Sequence, residues 1–225
     1  MNLVGDKSLD RINIRMFNKF SIFYKDKNIT DFSVKSRKVI LLIEYMIVNR
    51  FKNTTQERLF DILWEDKSKC DNPANALKNL VYRARTLLEK LFDTDNINFI
   101  LYKNDTYIWN NEIDCIVDVE EFEKLLIKAL DTTIDDEKRI ELYLKALSFY
   151  TGEFLDKKSS EYWVLAKKTY YASEYIKNVI KAVELNLKNK RYKDIINICE
   201  VATEHYPFEE QIQILLIKAY TLAGL

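Results

Sequence analysis

The amino-acid sequence predicts a mainly α protein of two parts, an α+β unit over roughly the first half and an all-α unit over the rest. Three features carry this. Apolar and polar residues alternate at strand period near the N-terminus, at Ile12, Ile14 and Met16 and again at Phe20 and Ile22. The runs Phe99–Tyr102 and Thr106–Trp109 flank the turn residues Lys103, Asn104 and Asp105, which reads as a hairpin. From Val117 onward no strand pattern survives. A chain of 225 residues accommodates two domains of about 100 residues, placed at 1–112 and 113–225.

The elements follow in order. Residues 12–24 hold two short strands, Lys25 to Asn28 are turn residues, and Ile29–Phe32 supplies a third strand. From Ser36 to Val48, Val39, Leu42, Ile43, Met46 and Ile47 follow helical spacing and give a first helix. Thr54 and Thr55 can cap a second helix, with Thr54 and Glu57 three residues on matching a capping box; it buries Leu59, Ile62 and Leu63 and ends near Trp64. Asp71-Asn72-Pro73 starts a third, because Asp or Asn caps well and Pro suits the first helical position. That helix runs to about Leu91, and the hairpin follows. Strands, three helices and a hairpin make the order of a winged helix-turn-helix. The second half reads as helices at about 118–131, 136–150, 160–188, 191–205 and 208–223, with Gly152 and Pro207 as punctuation. Helices joined by short turns suggest a tetratricopeptide-like array, although no clean 34-residue repeat is present.

The third helix carries the functional argument. At 3.6 residues per turn, Leu77, Leu80, Val81, Ala84, Leu87, Leu88 and Leu91 form one core-facing stripe. Asn75, Asn79, Tyr82 and Thr86 fall opposite, flanked by Lys78, Arg83, Arg85 and Lys90, with Glu89 the only acid. Asn pairs with adenine through two hydrogen bonds, Thr meets a base edge or a thymine methyl, and Arg and Lys reach guanine or phosphate. The first four are therefore expected to read bases. The cations, with Lys103 of the hairpin, are expected to hold phosphates. A polar outer face is also what any amphipathic helix presents. The short capped helix before it and the hairpin after it favour double-stranded DNA.

Composition narrows the classes. The chain has 35 basic and 35 acidic residues, but residues 1–112 carry 19 against 15 and the remainder 16 against 20. A net of +4 faces a net of −4, as expected of a nucleic-acid-binding half joined to a non-binding half. Cys70, Cys115 and Cys199 are odd in number, far apart and without a nearby His, so neither disulfides nor zinc are signalled and reduced cytosolic thiols are expected. The first residues lack the apolar core of a signal peptide, and no run approaches the roughly 18 apolar residues of a membrane span. A cytoplasmic protein without membrane partners is expected.

Several segments together resemble one family. Residues 36–45 (Ser36 to Tyr45), Leu59 to Trp64 and Tyr82 to Leu88 resemble the OmpR-type winged helix of SARP-like transcriptional regulators. Asp118 to Glu123, Ala146 to Leu155, Trp163, Tyr192 and Tyr206 to Glu210 look like that family's bacterial transcriptional activator domain. The resemblance spans about Ile12 to Gly224. It implies a cytoplasmic activator that binds repeated promoter sites, often as a homodimer, and helps recruit RNA polymerase; related regulators often continue into further domains. There are departures. Family wings usually place Gly before the aromatic residue at the hairpin tip, where Asn104 and Asp105 stand before Tyr107, and an Asp there opposes phosphate. Ala84 replaces the Leu usual between the two Arg of the third helix.

Other candidates read as structural. His205 is the only histidine, lies in no nucleophile motif, and is expected near a helix C-terminus, where a cation suits the dipole. The acids Glu120-Glu121 and Asp135-Asp136-Glu137 read as first turns of helices rather than metal ligands. With three glycines there is no phosphate-binding loop. Trp64, Trp109 and Trp163 are expected to pack, and the pairs Lys157-Lys158 and Lys167-Lys168 to be solvated. No catalytic residue, cofactor or metal is expected. A sequence-specific DNA-binding regulator is thus favoured over an adaptor that docks through the winged helix and grips a peptide with the helical array, and over a hydrolase.

Overall fold

The computed structural model describes residues 10–25, 27–30, 37–64, 72–94, 97–156 and 161–224. The chain forms two compact units. One holds residues up to Ile14 together with Phe20–Ile116; the other holds Arg15–Lys19 together with Val117–Leu225. The division at Ile116 and Val117 lies four residues past the boundary drawn from sequence. The short excursion at Arg15–Lys19 has no counterpart in that reading.

In the first unit, β1 (Ile12–Arg15), β2 (Ser21–Tyr24), β3 (Lys27–Asn28) and β7 (Cys115–Val117) form a four-stranded sheet in the order β3-β2-β1-β7. Ile12 and Ile14 are buried and their neighbours exposed, as the alternation requires. The expected third strand at Ile29–Phe32 is corrected: the strand lies at Lys27–Asn28, with Tyr24 opposite Lys27 and Phe23 opposite Asn28. Lys25 takes a left-handed φ of 48°, which closes the turn early. Thr30 then leaves the ladder, and its hydroxyl accepts from the Ile22 N–H at 2.6 Å. Residues 31 and 32 lie outside the described residues.

Helix α1 (Arg37–Val48) is buried continuously from Val39 to Ile47, Glu44 included, which marks a core helix rather than a surface one. It packs against α2 (Gln56–Leu63) and α3 (Pro73–Phe92). Between α1 and α2 lies β4 (Thr54–Thr55), which pairs with β6 (Thr106–Trp109), itself paired with β5 (Ile100–Lys103). The wing is therefore three-stranded, in the order β4-β6-β5. Thr54 pairs opposite Tyr107, and the cap of α2 is Thr55, whose hydroxyl accepts from the Arg58 N–H at 3.2 Å. Phe92 packs edge-on against Tyr24 at 5.2 Å and stacks on Phe99 at 5.0 Å. Trp109 completes this cluster, and Trp64 stacks on Phe60 at 4.5 Å with the Lys38 ammonium over its ring.

The second unit contains α4 (Asp118–Ala129), α5 (Asp136–Leu147), α6 (Tyr162–Lys188), α7 (Tyr192–His205) and α8 (Glu210–Ala223). Each packs on the next, and α6 also reaches α8, as in a tetratricopeptide-like array. Its acids do more than favour a helix dipole. Asp135 caps α5, Asp136 accepts from Lys188 at 2.6 Å, and Arg191 bridges Glu137 and Asp194, both at 2.6 Å, fastening the start of α5 to the α6–α7 turn.

The Arg15–Lys19 segment completes this unit's core. Phe17, 1% exposed, lies within 5.4 Å of the rings of Phe122, Tyr150 and Tyr171 and bridges to Phe154. Asp118 holds the segment: its carboxylate accepts from the Met16, Phe17 and Val119 N–H groups at 2.8, 3.0 and 2.8 Å. Burial pushes this carboxyl up to about 6, against the three N–H donors that favour its charged form. Gly152 lets the segment approach: its φ is +152°, and a Cβ there would sit 3.2 Å from the Asn18 Cβ.

Candidate nucleic-acid interface

The third helix is built as its sequence demands. The Asn72 side chain accepts from the Asn75 N–H at 3.0 Å, Pro73 occupies the first turn, and Asp93 closes the helix in a left-handed conformation. Asp71, the other expected cap, lies outside the described residues. Leu77, Leu80, Val81, Ala84, Leu87 and Leu88 are buried, with Phe92 rather than half-buried Leu91 completing the stripe. A small Ala84 at 0% exposure fits directly against the core.

The opposite face is open. Asn75, Lys78, Asn79, Tyr82, Arg83, Thr86 and Lys90 are all exposed, Tyr82 to 69%. Asn75 to Thr86 spans roughly 16 Å along the axis, at about 1.5 Å per residue, enough to follow a major groove. Among the described residues, no carboxylate pairs with Lys78, Arg83, Lys90 or Lys103. Glu89, the one acid of the helix, is half-buried.

Arg85 differs from the other expected phosphate contacts. It is half-buried, and its Nε donates to the Ile100 carbonyl at 2.8 Å, so it braces the helix against β5 of the wing. Its charge also faces the Tyr107 hydroxyl, whose pKa burial raises. Sequence spacing alone could not separate this role from that of Arg83, because both arginines fall on the flank of the polar face.

At the wing tip, Asn104 and Asp105 adopt φ of 51° and 58°. Two left-handed residues make the turn that joins twisted strands, and Asn and Asp are the non-glycine residues that best tolerate it. This explains how the hairpin forms without the glycine that wings of the resembled family carry. Lys103 is exposed beside it, and the Thr106 hydroxyl donates to its carbonyl at 2.8 Å. The Tyr102 hydroxyl donates to Asp105 Oδ1 at 3.0 Å and accepts from Gln56 Nε2 at 2.7 Å. These contacts were not legible in the sequence, since they depend on β4 bringing Gln56 beside the hairpin.

The remaining candidates are structural. Trp109 is buried and Trp163 half-buried beside Phe154; Cys115 and Cys199 are buried free thiols. Lys168 pairs with Glu153 at 3.2 Å, and Lys167 lies over the Tyr170 and Tyr171 rings. Cys70, Lys157 and Lys158 lie outside the described residues. His205 is half-buried at right angles to the stacked rings of Tyr150 and Tyr175, and burial lowers its pKa. His205 does end α7 as expected, but its charged form is disfavoured there, because the loss of water outweighs the nearby Glu204 charge.

Residues 117–225 match the family model described as the bacterial transcriptional activator domain. The helical unit is similar to such a domain. No curated protein matches the chain in sequence. A solved structure of Mycobacterium tuberculosis EmbR in complex with a low-affinity phosphopeptide has the same fold, with a TM-score of 0.75 at 17% identity. The match covers 95% of this chain and 55% of that one, so the chain spans about half the length of that protein. The two share one fold, a winged-helix unit followed by a helical unit, and in this chain the helical unit is the part that matches the bacterial transcriptional activator domain. Such a domain belongs to a family of transcriptional activators. Among the described residues, no helix is long and apolar enough to cross a membrane.

Proposed function

We propose that this chain binds double-stranded DNA through α3 and acts as a sequence-specific transcriptional activator in the cytoplasm, not as a catalyst. The observation that carries the reading is the solvent-exposed, uncompensated face of α3. Asn75, Asn79, Tyr82 and Thr86 read base edges; Lys78, Arg83, Lys90 and Lys103 contact phosphates; Arg85 fixes the wing. The cations supply affinity and register, and the amides and hydroxyl supply discrimination. The activator domain supports RNA polymerase as the partner, and a homodimer on repeated sites fits the same reading.

The test is equilibrium binding to random duplex across a salt series. The unaltered chain is expected to bind at low salt, and Lys78→Ala with Arg83→Ala is expected to reduce the slope of log K against log salt by about 2, near 0.9 for each lost phosphate contact. An unchanged slope overturns the assignment. An adaptor reading draws on a cleft of about 790 Å³ along α6, lined by Ala172, Ile176, Ile180 and Lys181. Absence of any duplex binding would favour it.

A further inference from the structure

The wing carries an acid at its tip, yet that acid is not left to face solvent alone. Asp105 sits at the second turn position, beside Lys103 and Asn104. Its Oδ1 accepts from the Tyr102 hydroxyl, and the same hydroxyl accepts from the Gln56 amide. Gln56 is the first residue of α2 and follows directly on β4, whereas Tyr102 is on β5, at the other edge of the sheet. The hydrogen bond from Gln56 to Tyr102 therefore spans the middle strand, and the Tyr102 ring lies 4.8 Å from that of Tyr107 on that strand. The bonded carboxylate raises the pKa of the Tyr102 hydroxyl, as a donor to a charged acceptor must.

We infer that Tyr102, with Gln56 behind it, is a positioning residue that draws the Asp105 carboxylate back onto the hairpin, so that the wing presents Lys103 rather than Asp105 to a phosphate. The inference rests on the DNA-binding reading above and deepens it. A carboxylate directed at the duplex repels phosphate; one engaged by a hydroxyl keeps its charge but is held aside. The relay makes the placement of the wing's negative charge depend on one phenolic hydroxyl. It also ties the tip of the wing to the helix-turn-helix through α2, while Arg85 ties its base to α3.

The test is a double-mutant cycle on full-length protein, read as affinity for a random duplex at low and at moderate salt. Tyr102→Phe keeps the ring against Tyr107 and removes only the hydroxyl. It is expected to weaken low-salt binding about threefold, the effect of one exposed unit charge roughly 6 Å from a phosphate in water, with the loss shrinking as salt rises. Asp105→Asn keeps a residue that tolerates the left-handed turn and removes the charge. In that background Tyr102→Phe is expected to change nothing, because no charge remains to be released. If Tyr102→Phe weakens binding equally in both backgrounds, the hydroxyl is merely structural and the inference fails. If Tyr102→Phe leaves binding unchanged while the unaltered chain binds duplex, the inference fails and the DNA-binding reading stands. If the unaltered chain binds no duplex at low salt, both fail.

Discussion

The surroundings of His205 disfavour its charged form. The rings of Tyr150 and Tyr175 lie 5.4 and 5.6 Å away, edge to face, and burial outweighs the pull of Glu204. A histidine whose folded pKa lies below its unfolded value of about 6.5 takes up a proton more readily when the chain unfolds. Stability is then lost as pH falls below about 6.5. Asp118 acts in the opposite sense. Its carboxyl is raised from 3.8 to about 6, so the folded state binds the extra proton between those values and stability declines as pH rises through that window. The two contributions overlap, and a comparison of variants separates them. His205→Phe is expected to flatten the fall in melting temperature between pH 7 and pH 5 relative to the unaltered chain. Parallel melting curves of the two proteins against pH would exclude a buried neutral imidazole.

At the scale of elements, the start of α2 shows what patterning conveys and where it stops. Thr54 and Thr55 both look like caps, and the spacing to Glu57 selects Thr54. The structure selects Thr55, because β4 runs through both threonines, paired with Tyr107 and Thr106 more than 50 positions away, and so delays the first helical residue to Gln56, which no local pattern discloses. Thr55→Ala is expected to lower stability by about 1 kcal/mol in urea unfolding, the usual cost of a lost N-cap. A smaller effect than that of Thr54→Ala would return the cap to Thr54. The same distinction runs through the chain. The α3 stripe, the hairpin and the five later helices were legible, since each is set by periodicity within one segment. The brace from Arg85 to Ile100 and the chain from Gln56 through Tyr102 to Asp105 were not, since each joins residues from separate elements.

For the molecule as a whole, the consequential feature is the return of Arg15–Lys19 to the helical unit. Phe17 fills space among Phe122, Tyr150, Tyr171 and Phe154, and Asp118 satisfies the Met16 and Phe17 amides that accompany it. Removing a buried phenyl ring costs about 3–5 kcal/mol in typical cores. Phe17→Ala should therefore destabilise the helical unit by that order. A chain beginning at Val117, which lacks the ring altogether, should unfold at lower urea than the helical unit of the full chain. Equal midpoints for the shortened and full chains would show that the segment adds nothing.

That return also limits how this protein could be rebuilt by recombination. A single gene fusion at Val117 would hand the recipient a helical module with a hole in its interior and an uncapped buried acid at Asp118. A working hybrid must import five residues from about 100 positions earlier in the sequence as well. Shuffling with such modules therefore favours recipients whose own leading strand already supplies a comparable aromatic plug.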